Sequence, residues 1–156
     1  MKTRNFYLYL KALIWSIFVS YTPSTVSAIA SCLRERRVLS EYPEFQDTHL
    51  GEGLRYIISR LHRKEDCDLL ASCLETVKKS APSIIYQNMV IEVGHYVTAT
   101  QPLDDVPEDC TGVVYCLKSN SIYVIFLKPD NTISAQKVRP FQIMPVYTLT
   151  APDPNS

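Results

Sequence analysis

The first thirty residues constrain everything else, because they decide how much of the 156-residue chain is left to fold. Lys2 and Arg4 give a basic start, and Ala12-Leu13-Ile14-Trp15-Ser16-Ile17-Phe18-Val19 is an apolar core. That core is too short to cross a bilayer, and Lys11 interrupts the apolar run ahead of it. A polar stretch, residues 21–25, leads into Val26-Ser27-Ala28 and Ala28-Ile29-Ala30, which carry small side chains where a signal peptidase reads them. The pattern predicts a secretory signal over 1–30, a single secreted domain over 31–150 and a polar tail over 151–156.

Two other readings of this segment stay open. One is an uncleaved N-terminal anchor. In the other, Ile29-Ala30-Ser31-Cys32 acts as a bacterial lipobox. Cys32 would then be lipidated and the chain would be a periplasmic or surface lipoprotein, an inhibitor or adaptor.

Charge narrows the partner. Over the whole chain 16 Lys+Arg balance 16 Asp+Glu. Lys2, Arg4 and Lys11 leave with a cleaved signal and no acid does, so 13 bases then face 16 acids, a net −3. Residues 65–110 hold nine of those acids against two bases, and no basic stripe runs along the chain. RNA is therefore a weak partner, confined to basic corners such as Arg34, Arg36 and Arg37 or Arg60, Arg63 and Lys64. A protein partner is favoured. A hydrophobic content of 46% excludes a disordered chain, and four glycines exclude a Gly-rich phosphate loop.

Export would permit disulfides, with Cys32, Cys67, Cys73, Cys110 and Cys116 as candidates. The sequence chooses no pairing. Cys110 and Cys116 flank a short segment they could close, whereas Cys67 and Cys73 fall on different faces of one helical pattern. No Cys-x-x-Cys occurs, and His49, His62 and His95 show no zinc spacing, so neither metal nor cofactor is expected.

Residues 31–53 read as an irregular, charged lead-in with room for a short helix, and 54–61 favour a strand by their aromatic and β-branched content, with a helix left open as the alternative. The clearest helix carries Leu69, Leu70, Cys73, Leu74 and Val77 on one face, with Glu65, Asp66 and Asp68 at its start. Lys78 and Lys79 mark its end and Pro82 stops it. Strands are predicted over 84–86, 90–93, 95–100, 112–117 and 121–127. A turn at Lys128-Pro129-Asp130-Asn131 closes a hairpin running to Val138, and 141–149 adds an edge strand bent at Pro145. The expected class is α+β, one helix packed on an antiparallel sheet.

Few residues suggest chemistry. Glu92 and His95 lie three apart, which in an extended strand sends them to opposite faces, so His95 reads as a surface or strand-end residue. His62, beside Arg63 and Lys64, reads as part of a solvated basic corner. Asp104, Asp105, Glu108 and Asp109 lack the spacing and glycine of a calcium loop and read as a solvated acidic loop. Tyr86, Tyr96 and Tyr123 are the candidates for a binding surface, since aromatic rings bury area at low entropic cost.

The order of elements resembles the ribonuclease-like secreted effectors of powdery mildew fungi, whose fold is that of the small fungal guanyl-specific ribonucleases. After the helix come Pro82-Ser83-Ile84-Ile85-Tyr86-Gln87-Asn88, then Thr100-Gln101-Pro102-Leu103, then Ile122-Tyr123-Val124-Ile125-Phe126 and the 128–131 turn. The resemblance spans roughly residues 66–138, with Tyr86, Asn88, Pro102, Val124 and Phe126 its chief identities. The family's catalytic histidine, glutamate, arginine and second histidine fall here on Ile84, Thr100, Tyr123 and Val138. None of these can move a proton or stabilise a phosphorane at neutral pH. The resemblance thus implies a non-catalytic scaffold, a secreted effector that binds host proteins. The remaining alternatives are an unrelated secreted binding protein and an active ribonuclease with rearranged residues such as His62, Glu92 and His95.

Overall fold

The computed structural model describes residues 3–36 and 48–147. Arg37, residues 148 and 149 of the expected edge strand and the expected tail 151–156 lie outside the described residues. The fold is mixed α+β, with four α-helices and two antiparallel sheets among the described residues. The expectation of one helix on a sheet is corrected by the first sixty residues, which supply three more.

Helix α1 (Thr3–Val19) takes its form from apolar residues on one stripe. Phe6, Tyr7, Leu10, Leu13, Ile14 and Ile17 are all buried, while Arg4, Leu8, Trp15 and Val19 face outward. Helix α2 (Pro23–Glu35) has proline in its first turn, and extended Thr22 caps it by accepting the Thr25 amide at 3.2 Å. It ends at Arg36, whose left-handed backbone (φ 55°) lets its amide reach the Cys32 and Leu33 carbonyls.

Helix α3 (Thr48–Arg60) replaces the strand expected over 54–61. Leu50, Leu54, Ile57 and Leu61 recur at helical spacing and are buried, which outweighs the β-preference of Tyr56-Ile57-Ile58. Helix α4 (Lys64–Leu74) is the helix legible in the sequence, and Val77 follows in a single 3-10 turn, Val77–Lys79. Packing is pairwise, α1 on α3 and α2 on α4. Lys78 joins the pairs by donating to the carbonyl of Ile17, in the last turn of α1, at 3.2 Å and to that of Tyr21, just past it, at 2.8 Å. Among the described residues, no helix is long and apolar enough to cross a membrane.

Strands β1 (Ser83–Tyr86) and β2 (Met89–Glu92) form a two-stranded hairpin. The main sheet contains β3 (Tyr96–Ala99), β4 (Thr111–Lys118), β5 (Ser121–Leu127), β6 (Ile133–Val138) and β7 (Ile143–Val146). Its order is β6-β5-β4-β3-β7, every pair antiparallel, so β7 returns after the Pro140–Gln142 turn to pair with β3.

Both faces of this sheet are covered. Tyr123, Ile125 and Leu127 of β5 point at the helices, whereas Ile122, Val124 and Phe126 point into a second apolar core. A bulge between Val114 and Cys116 turns both Tyr115 and Cys116 toward the helices and returns Leu117 to the second core. The second core is closed by Ile91 of β2 and by Leu103 and Val106, which bridge within the 100–110 loop. Burying each such aliphatic side chain stabilises the fold by about 1.5–3 kcal/mol. Residues 3–35 supply much of the helix-side core.

The expected disulfides are absent. All five cysteines are thiols, each settled in its own packing site. Cys73 meets the Tyr115 hydroxyl, Cys110 donates to the Leu127 carbonyl at 3.2 Å, and Arg36 donates toward Cys67 at 3.8 Å. Burial pushes the Cys73 and Cys110 thiols up to about 11, and raises Cys67 and Cys116 as well.

Candidate interaction surface

The β1–β2 hairpin has an inner and an outer face. Ile84, Tyr86, Met89 and Ile91 alternate toward the second core, with Ile91 buried and Ile84 packed against it. On the outer face Ile85 and Val90 are direct cross-strand partners, 75% and 42% exposed. The tip turns through Gln87, which takes a left-handed backbone (φ 54°) without being glycine. Strand β2 lies beside β7, where Met144 and Tyr147 are exposed, and Phe141 protrudes from the turn before it. Pro145 sits on this edge strand and removes one amide from it, which discourages strand addition there.

At the hairpin's root, Glu92-Val93-Gly94-His95 is a tight turn closed by the His95 amide donating to the Glu92 carbonyl at 3.2 Å. Gly94 has φ 86°, a conformation side chains resist, and Trp15 of α1 packs beside it. The turn brings His95 Nε2 to 2.7 Å from Glu92 Oε2. The strand argument that separated these two side chains is therefore corrected, and Gly94 was the signal that could have revealed the turn. Among the described residues no hydroxyl or thiol hydrogen-bonds to either partner, so the pair braces a turn.

The three candidate tyrosines do not share a surface. Tyr86 is half-buried at the hairpin tip. Tyr96 is only 4% exposed, edge-on to Tyr7 and beneath Lys11, whose Nζ lies 4.8 Å from the ring centre. Tyr123 leans on Tyr115 and the helix-side core. Burial raises the Tyr7 and Tyr115 hydroxyls as it does the thiols. The aliphatic pair Ile85–Val90 is the exposed feature that a search for aromatic residues passed over.

The four positions singled out by the ribonuclease resemblance do not share one face of the sheet, although Ile84 and Val138 both border the second core. Ile84 is on the separate hairpin, and Thr100 is exposed beyond β3, donating to the Phe141 carbonyl at 3.0 Å. Tyr123 faces the helices, while Val138 lies on the opposite face opposite Ile122.

The acidic loop is a latch. Asp105 accepts from Lys128 at 2.7 Å and from Ser134 at 3.0 Å, tying the 100–110 loop to the β5–β6 turn and to β6. The Lys128 hydrogen bond, with help from Ser134, holds the Asp105 carboxyl below the ordinary aspartate range. Among the described residues no cluster of His, Cys, Asp and Glu is arranged to hold a metal ion. No family model, no curated protein and no solved structure matches this chain.

Proposed function

We propose that the chain is a non-catalytic binding domain that takes a protein partner on the outer face of the β1–β2 hairpin. The observation that carries this reading is the Ile85–Val90 pair, two aliphatic side chains side by side and open to solvent on a hairpin whose other face is already packed. Cross-strand aliphatic pairs stabilise a sheet when covered, and leaving one open is a cost that a partner would relieve. Exposed Met144 on the neighbouring strand and Tyr147 just after it extend the apolar character, and the absence of net charge favours a protein over a polyanion. Secretion and a host as the partner's source rest on residues 1–30 being a signal, and the fold uses those residues as core.

The test is a double substitution, Ile85→Asp with Val90→Asp, in the full chain. It should leave the thermal midpoint within a few degrees of wild type and abolish recovery of the partner that wild type captures. Equal recovery by both proteins would sink the reading. Sedimentation of the pure chain separates self-association from a different partner.

A further inference from the structure

We infer that residues 3–35 stay with the domain and that folding conceals the signal-like motifs they carry, so processing and folding are alternative fates of one segment. Hydrolysis would add water across the Ala28–Ile29 or Ala30–Ser31 peptide bond and release an acid and an amine. A peptidase must draw that bond, extended, into its cleft. Here both bonds lie inside α2, with Ile29 and Ala30 fully buried in the helix-side core.

The helix is also clamped from outside. Arg34 pairs with Glu75 of the α4 C-cap, Arg36 donates to the Leu61 carbonyl at 2.9 Å, and Lys64 Nζ reaches the Arg34 carbonyl at 3.3 Å. Helix α1 is held likewise, because the Tyr7 hydroxyl donates to the Thr111 carbonyl at 2.9 Å and Lys78 caps its far end. Extending α2 for cleavage therefore requires separating it from α4. A chain that has folded is past the point at which it can be processed, and a processed chain has lost α1.

The experiment presents purified signal peptidase with the folded full chain and, separately, with a synthetic peptide of residues 1–36. Intact mass and the thermal transition are followed together. The peptide should be cut after Ala28 or Ala30, while the folded chain keeps its full mass and its transition. Substituting both clamps, Arg34→Ala with Arg36→Ala, should raise cleavage of the folded chain several-fold by easing α2 off α4. Three results would overturn the inference: a folded chain cut as fast as the peptide, a cut product that retains the full-length thermal transition, or a peptide that is not cut at all.

Discussion

Gly112 shows how little room the sheet allows a single residue. A Cβ there would come within 2.5 Å of Val124 Cγ1 and 2.8 Å of the Ile125 carbonyl oxygen, and the backbone oxygen cannot move aside cheaply. Gly112→Ala should therefore destabilise the fold by about 1–3 kcal/mol, seen as a lower midpoint in urea with an unchanged slope. The thiols make the second residue-scale case. Because burial raises Cys73 and Cys110 to about 11, the reactive thiolate is scarce near neutrality. Without reductant, all five cysteines should stay unlabelled by iodoacetamide at pH 8 on the timescale on which a free thiol reacts, and all five should label once the chain is unfolded. Incomplete labelling of the unfolded chain would mean that a disulfide had formed. The sequence was least readable at residues like these. Gly94 reversed the relation between Glu92 and His95, because a period-two argument assumes the strand continues, and one positive φ ends it.

At the scale of elements, legibility followed the boundary signals and residue types. β5 was read at its observed limits because Ser121–Leu127 is a short β-branched and aromatic run set between two turns. Helix α4 was read from an apolar stripe bounded by acids and by Pro82. Helix α3 was missed because Tyr56-Ile57-Ile58 satisfies strand preference locally, while its i, i+4, i+7 spacing matters only once α1 is there to pack against. Helix α1 was not read as an element because its residues were set aside with the segment expected to be a signal. The 100–110 loop gives an element-scale prediction. Asp105 has its pKa depressed in the fold, so its contribution is present above the unfolded value and is lost as pH falls through the folded one. Stability should decline from about pH 5 to about pH 3, and Asp105→Asn should remove that part of the decline. More than half of the Asp105 side chain is exposed, so the effect is small, about 0.2–1 kcal/mol at neutral pH. A pair of urea titrations across that range checks it.

The whole molecule is a sheet shared by two cores, and that sharing sets how it unfolds. Val113, Tyr115 and Ile125 belong to the helix-side core, while Val114, Val124 and Phe126, their immediate neighbours along β4 and β5, belong to the other. Losing the helices would strip one face of each central strand, and losing the 100–110 loop and hairpin would strip the other, so neither core has a sheet of its own. One cooperative transition is the expected outcome, with calorimetric and van't Hoff enthalpies in agreement. Two matched substitutions probe it, because Ile14 and Ile122 are both fully buried and lie in opposite cores. Ile14→Ala and Ile122→Ala should each cost about 2–5 kcal/mol. Each should lower the same single transition, by about 2–4 °C per kcal/mol for a chain of this size. If Ile14→Ala instead split the transition in two, leaving an upper step at the wild-type midpoint, the sheet with its second core would be an independent unit. The N-terminal helices would then be an accessory layer, and the coupling drawn here between the two faces of the sheet would be lost.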